Sequence, residues 1–274
     1  MDKPVIKLTD AALRFGERSL WENMNLGISA GEFIAILGPN GSGKSSFLRV
    51  LLGLDELSAG SATIYDKSPS RGNNYIGYVP QQRTFDADIP IRGVDLVELG
   101  LNGHKWGMLN LNSRNKNQVN RIIKEIGASD YAQRPLGKLS GGEQQRLRIA
   151  QALVSDPKIL ICDEPFLSLD LKNQEAVSDL INKYRKKNNT TVLFVTHDIN
   201  PIINIVDRVL YIARGKWSIG LPKEVLTDKT LTELYNSKVS VFNVDGRIFI
   251  VGGDDIIIDN EGHHHHHHHT KHHD

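Results

Sequence analysis

Gly38-Pro39-Asn40-Gly41-Ser42-Gly43-Lys44-Ser45-Ser46 (GPNGSGKSS) decides the reading of this chain. It fits G-x-x-x-x-G-K-[ST], with Gly38, Gly43, Lys44 and Ser45 in the fixed places. The preceding FIAIL (33–37) is a short apolar run that predicts a buried strand, and the following SFLRVLLGL predicts a helix. Strand, Gly-rich loop, helix is the context that separates a phosphate loop from a chance match. Glycines let the backbone wrap close to phosphates and turn its N–H groups inward. The helix N-terminus adds partial positive charge. In this pattern Lys44 reaches the β- and γ-phosphates and the Ser45 hydroxyl holds Mg²⁺. The plain alternative is a Gly-rich surface turn before an ordinary helix.

Two further strings narrow the chemistry. KILICDEP (158–165) is an apolar strand ending in adjacent acids. Asp163 at the strand end suits a Mg²⁺ ligand opposite Ser45, and Glu164 suits a base for an attacking water. Two solvated acids at a strand end are the bland reading. LSGGEQQR (139–146) satisfies S-x-x-E through Ser140 and Glu143, a capping box that opens a helix with glycines. Such a capped N-terminus is an anion site.

With LSGGEQ lying between a phosphate loop and an acidic strand, the chain resembles the ATP-binding subunit of an ATP-binding-cassette (ABC) transporter. LSGGEQ matches the family's signature motif. The resemblance covers roughly residues 5–235. It implies an α/β fold of the P-loop NTPase type, with a mixed core sheet, an antiparallel β subdomain and a helical insertion carrying the signature. It implies ATP and Mg²⁺ as cofactors. It also implies two copies sandwiching two ATP molecules, each between one copy's loop (Gly38, Pro39, Asn40, Gly41, Ser42, Gly43, Lys44, Ser45, Ser46) and the other's Ser140, Gly141, Gly142 and Glu143. Glu164 takes the general-base role. Gln81 in YVPQQ matches the Q-loop glutamine, which touches Mg²⁺ and the attacking water, with Gln82 the weaker choice. His197 in VTHD matches the switch histidine at the γ-phosphate; a lone His is more often structural, but its place just past a strand reverses that preference. Phe15 in LRFG matches the aromatic that stacks on adenine. Asp170 matches the D-loop aspartate. Here Leu167 and Ser168 depart from the common SALD, which puts intersubunit contacts through residue 167 in doubt.

Around these motifs the pattern predicts antiparallel strands over 5–28 and strands over 62–65, 76–79, 159–162, 192–195 and 209–213. Helices are expected in VDLVELGL, QVNRIIKEIG and EQQRLRIAQALV, over roughly 173–187, and near 222–226 and 231–235. The stretch 103–117, rich in Asn, Gly and Lys, predicts a surface loop. The expected division is an ATPase domain over 1–235, with its helical subdomain near 88–155, a β-hairpin appendix over 236–258 about Asp245-Gly246, and a His-rich tail over 259–274.

The 274 residues carry a formal net charge of +1, which gives no basic field for nucleic acid. The one cysteine, Cys162, argues against a disulfide scaffold and fits a reducing compartment. No apolar leader and no window approaching the roughly 20 residues of a membrane span is read from the sequence. The expectation is a peripheral protein at the cytoplasmic face of the membrane, with separate permease subunits and a solute-binding protein as partners.

Cargo leaves weaker traces. The segment 76–100, with Asp88, Pro90, Val94 and Gly100, is similar to the metal-uptake branch, and siderophore and haem importers share parts of it. His263, His264, His265, His266, His267, His268, His269, His272 and His273 form a cluster able to bind Zn²⁺, Ni²⁺ or Cu²⁺. The untidy TKHHD ending favours a native tail over an affinity tag. The favoured function is import of zinc, then manganese or iron. The alternatives are another solute, a soluble ABC protein of DNA repair or translation, and a binding module without hydrolysis.

Overall fold

The structure is a computed structural model and describes residues 3–81, 88, 90–102 and 113–252. In chain order the elements are β1 (Ile6–Phe15), β2 (Arg18–Ile28), β3 (Phe33–Leu37), α1 (Lys44–Leu51), β4 (Ala59–Ile64), β5 (Ile76–Val79), α2 (Gly93–Asn102) and α3 (Ser113–Glu125). They continue with α4 (Gly141–Leu153), β6 (Ile159–Asp163), α5 (Leu171–Asn188), β7 (Thr191–Val195), β8 (Arg208–Ala213) and β9 (Lys216–Gly220). The chain then forms α6 (Pro222–Val225), α7 (Asp228–Tyr235), β10 (Val239–Val244) and β11 (Arg247–Gly252).

Six strands form one mixed sheet in the order β5-β6-β7-β3-β8-β9, parallel except for the antiparallel β8–β9 pair. Every residue of β3, β6 and β7 is buried, as expected of central parallel strands covered on both faces. Strand geometry sends successive side chains to opposite faces. In β3, Ile34 and Ile36 therefore join the core shared with α1 and the second sheet, while Phe33, Ala35 and Leu37 join the core of the helical side. That second sheet is antiparallel, ordered β2-β1-β4.

Elements predicted from the apolar pattern appear with small boundary shifts. The loop expected over 103–117 is corrected. Residues 103–112 lie outside the described residues, but α3 begins at Ser113. Lys116 and Asn117 are exposed on this amphipathic helix, while Val119, Ile122 and Ile123 are buried. β9 was not foreseen. Its residues are exposed or half-buried, so it carries no apolar run to read.

At the C-terminal end β10 and β11 pair as a hairpin closed by Asp245 and Gly246, both at positive φ, the conformation a two-residue turn requires. Val241, Ile248 and Ile250 pack against the helical-side core. Gln82 and the clustered histidines 263–269, 272 and 273 lie outside the described residues.

Candidate functional site

The phosphate loop joins the C-terminal end of β3 to α1, in the middle of the sheet. Gly38 sits at φ +142°, and a Cβ there would lie 2.0 Å from the Ile212 carbonyl oxygen, so only glycine fits. Lys44 is buried beneath the loop. Its Nζ donates to the Gly38 and Pro39 carbonyls at 2.7 and 3.0 Å. Burial pulls the Lys44 pKa down, and Glu164 and Asp163 oppose that. Ser45 is exposed at the start of α1. A brace absent from the sequence reading comes from β2, where Arg18 Nη2 donates to the Gly41 carbonyl at 2.9 Å. Arg18 pairs with Phe15 across the β1–β2 turn, so the 55% exposed Phe15 ring stands on the strand pair that touches the loop.

The two acids leave β6, two strands from β3 in the same sheet. Asp163 is buried, and its Oδ1 has no hydrogen-bond partner. Burial raises its pKa first and the neighbouring Glu164 charge second, while Lys44 and the hydroxyls of Ser45 and Tyr78 oppose the rise. Tyr78 was not singled out from sequence. It stands on β5, paired with Ile161 of β6, and burial together with Asp163 pushes its phenol up to about 12. Cys162 is buried and its thiol pKa is raised, so it is inert packing.

Glu164 holds a left-handed backbone at φ +50°, uncommon for a residue other than glycine. Both its carboxylate oxygens are engaged. Oε1 lies 2.6 Å from His197 Nε2, and Oε2 accepts from Gln81 Nε2 at 2.7 Å. The His197 hydrogen bond is the main cause holding the Glu164 carboxyl below the usual glutamate range, and burial opposes it. Residues 83 positions apart in sequence are thus joined by the sheet order β5-β6-β7, since Gln81 follows β5 and His197 follows β7.

Beside these groups opens a cleft of about 1370 Å³, with Asn40, Glu164, Leu167, Asp170 and His197 among its walls. Asp170 caps α5, its Oδ1 accepting from the Asn173 N–H at 2.8 Å. Leu167 and Leu171 are left exposed at the rim, Leu171 by 62%.

Ser140, Gly141, Gly142 and Glu143 form the first turn of α4 and its cap. Glu143 Oε2 accepts from the Ser140 N–H at 2.8 Å, and the Glu143 N–H donates back to Ser140 Oγ at 3.3 Å. Ser140 is exposed. Beneath it the buried Gln144 donates to the carbonyls of Leu136 and Leu139 at 3.0 and 3.1 Å, fixing the turn that leads into the helix. Its role was not read from the motif, because an amide reports its partners only once the chain is folded. Among the described residues no group of three or more His, Cys, Asp and Glu is gathered for a metal ion, and no helix is long and apolar enough to cross a membrane.

Comparison with known proteins gives the same frame. The model of the family described as ABC transporter matches residues 21–167. A manganese transport system ATP-binding protein of Halalkalibacterium halodurans is 29% identical over 90% of this chain and 98% of its own length. A zinc uptake system ATP-binding protein of Listeria monocytogenes is 32% identical over 77% of this chain and 83% of its own. Among solved structures, a dimeric post-hydrolysis ATP-binding cassette bound to ADP and Pi is 30% identical, with a TM-score of 0.65, over 79% of this chain and 98% of its own.

Proposed function

The chain belongs to the ABC transporter family and is an ATPase, and from that premise we propose that it is the energy-coupling subunit of a divalent-metal importer, with zinc favoured and manganese or iron next. The observation that carries the cargo is the similarity, over most of the chain, to ATP-binding proteins of a manganese and a zinc system. The segment 76–100, expected to face a permease, agrees with it.

Each residue has a role in that reading. Main-chain N–H groups of residues 40–46 cradle the phosphates, and Lys44 leaves its two carbonyls to meet their charge. Phe15 stacks on the base. Glu164 receives a proton from the attacking water once Gln81 or His197 releases one of its oxygens. Gln81 then orients the water and His197 turns to the γ-phosphate. Asp163 Oδ1, buried and without a hydrogen-bond partner, is a free oxygen donor, and the hydroxyls of Ser45 and Tyr78 lie beside the same carboxylate. That donor set suits Mg²⁺, which Ser45, Asp163 and Gln81 would hold and which would offset phosphate charge when bound.

The second half of the site comes from a second copy. In one chain the Ser140 and Glu143 side chains bond to each other's residue, and the capped end of α4 is an exposed anion site. Leu167 and Leu171 at the cleft rim suit burial against that copy. Asp170 lies on the same face. The assembly sits at the cytoplasmic face of the membrane, attached through permease subunits that receive metal from a solute-binding protein.

The test is transport. The ATPase is assembled with its permease in vesicles, and entry of radioactive zinc and manganese from the solute-binding protein is followed with and without ATP. ATP-dependent zinc entry faster than manganese is expected. Manganese alone would overturn the zinc preference, and entry of neither, nor of radioactive iron in the same assay, would overturn metal import.

A further inference from the structure

The C-terminal hairpin docks on the segment that carries His197. β10 and β11 pair Val244 with Arg247 across the turn and Asn243 with Ile248. Only alternate pairs of an antiparallel ladder exchange hydrogen bonds, and the pair that closes the turn is one of them. The N–H and C=O of Ile248 therefore turn away from β10. One side chain takes both. The Ile248 N–H donates to Asn200 Oδ1 at 2.7 Å, and Asn200 Nδ2 donates to the Ile248 carbonyl at 3.0 Å.

Asn200 is tied inward as well. Its Nδ2 and its main-chain N–H both donate to Asp198 Oδ1, at 2.7 and 2.8 Å. The Asp198 N–H donates to Thr196 Oγ1 at 3.2 Å, and that hydroxyl donates back to the Asp198 carbonyl at 2.8 Å. A continuous run of bonds thus leads from Ile248 through Asn200 and Asp198 to Thr196 and brackets His197 on both sides. A cavity of about 340 Å³, lined by Gly38, His197, Tyr211, Tyr235 and Phe249 among others, lies between hairpin and loop.

We propose that Asn200 is a positioning residue for His197, and that the hairpin sets the rate of ATP hydrolysis by presenting the Ile248 main chain to it. The inference rests on the reading of His197 as the group that serves the γ-phosphate. A two-bond grip on an extended strand fixes both the place and the orientation of the segment, and small misplacements of a reacting group are costly in rate. Asparagine suits the task because it offers a donor and an acceptor side by side. Aspartate would lack the donor and would set a second carboxylate beside Asp198.

The experiment is a double-mutant cycle on the full chain. Asn200→Ala should lower kcat about 10-fold and leave the half-saturating ATP concentration within about twofold. In a His197→Ala background the same change should cost nothing further. Ile248→Pro removes the strand's N–H at a position edge strands tolerate, should slow hydrolysis about threefold, and carries the same cycle if Asn200→Ala does not fold. If His197→Ala leaves kcat unchanged, the histidine reading fails and takes this inference with it. If His197→Ala is slow but Asn200→Ala is not, or costs the same in both backgrounds, the positioning role is wrong and the histidine reading stands.

Discussion

His197 Nε2 and Glu164 Oε1 lie 2.6 Å apart, so the general base and the switch histidine of the proposed mechanism hold each other when no nucleotide separates them. Gln81 takes the other carboxylate oxygen at 2.7 Å. A base whose two oxygens are each engaged is a weaker proton acceptor, because both contacts draw on the charge a water proton would meet, so release of one partner favours hydrolysis. Glu164→Gln tests this. It keeps the shape and removes the proton acceptor. ATP should still bind and bring two copies together, as size-exclusion chromatography would report, while turnover falls about 100-fold or more. Wild-type turnover in this variant would remove Glu164 from the base role.

Lys44 gives a second prediction. Its ammonium is buried and donates to two loop carbonyls, at 2.7 and 3.0 Å, so the loop closes over it. Lys44→Ala removes the one side-chain cation in the loop. ATP affinity should fall about tenfold or more, measured by titration with a fluorescent nucleotide, while the melting temperature of the free protein changes far less.

Asp163 should trade stability for function. Its raised pKa comes from burial and from the charge of Glu164, so the ionised form is the disfavoured one in the folded chain. The cost to stability is fully present above the raised folded value and disappears as pH falls below the unfolded value, near 3.8. Asp163→Asn should therefore raise the melting temperature of the nucleotide-free protein at pH 7, and the gain should shrink on acidification. The same variant should lose Mg²⁺-dependent hydrolysis. A lower melting temperature at pH 7 would show that the Lys44 and hydroxyl contacts outweigh the burial cost.

The part of this site that was legible in sequence lies in contiguous strings. The loop at Gly38, the acids after β6 and the cap of α4 each declare their chemistry within about eight residues, because turn glycines, strand ends and helix caps are local devices. What was not legible depends on the sheet order. Tyr78 faces Asp163 only because β5 lies beside β6, and Arg18 reaches Gly41 only because β2 folds over the loop. The same holds for Asn200, whose partner is 48 positions away in a hairpin with no chemistry of its own. The polar start of α3 misled the reading for a different reason. Its apolar stripe begins only at Val119, so the first turns look like loop.

Gln144 follows from that argument. Its buried amide supports the Leu136 and Leu139 carbonyls on which the signature turn is built. Gln144→Leu roughly keeps the volume and takes the amide donor from both carbonyls, and the Leu136 carbonyl alone keeps a second donor, the Leu139 N–H at 3.0 Å. It should cost about 1–3 kcal/mol of stability in urea unfolding and slow hydrolysis more than it weakens ATP binding. An unchanged unfolding midpoint would mean that the Gln144 amide adds nothing to the stability of this turn.

The composite site can be tested by mixing two defective chains. A Lys44→Ala chain has a damaged loop and an intact α4 terminus, and a Ser140→Arg chain has the reverse. Each alone should be inactive. If the loop of one copy works with the helix terminus of the other, a mixed dimer carries one wholly intact site and one doubly damaged site. In an equal mixture about half of the dimers are mixed and each is half active, so about one quarter of wild-type ATPase activity should return. Sites completed within a single chain would give no recovery at any ratio. Ser140 itself also caps α4, so the Ser140→Arg chain must first be shown to melt cooperatively, and about 1 kcal/mol of lost stability is expected from the missing cap alone.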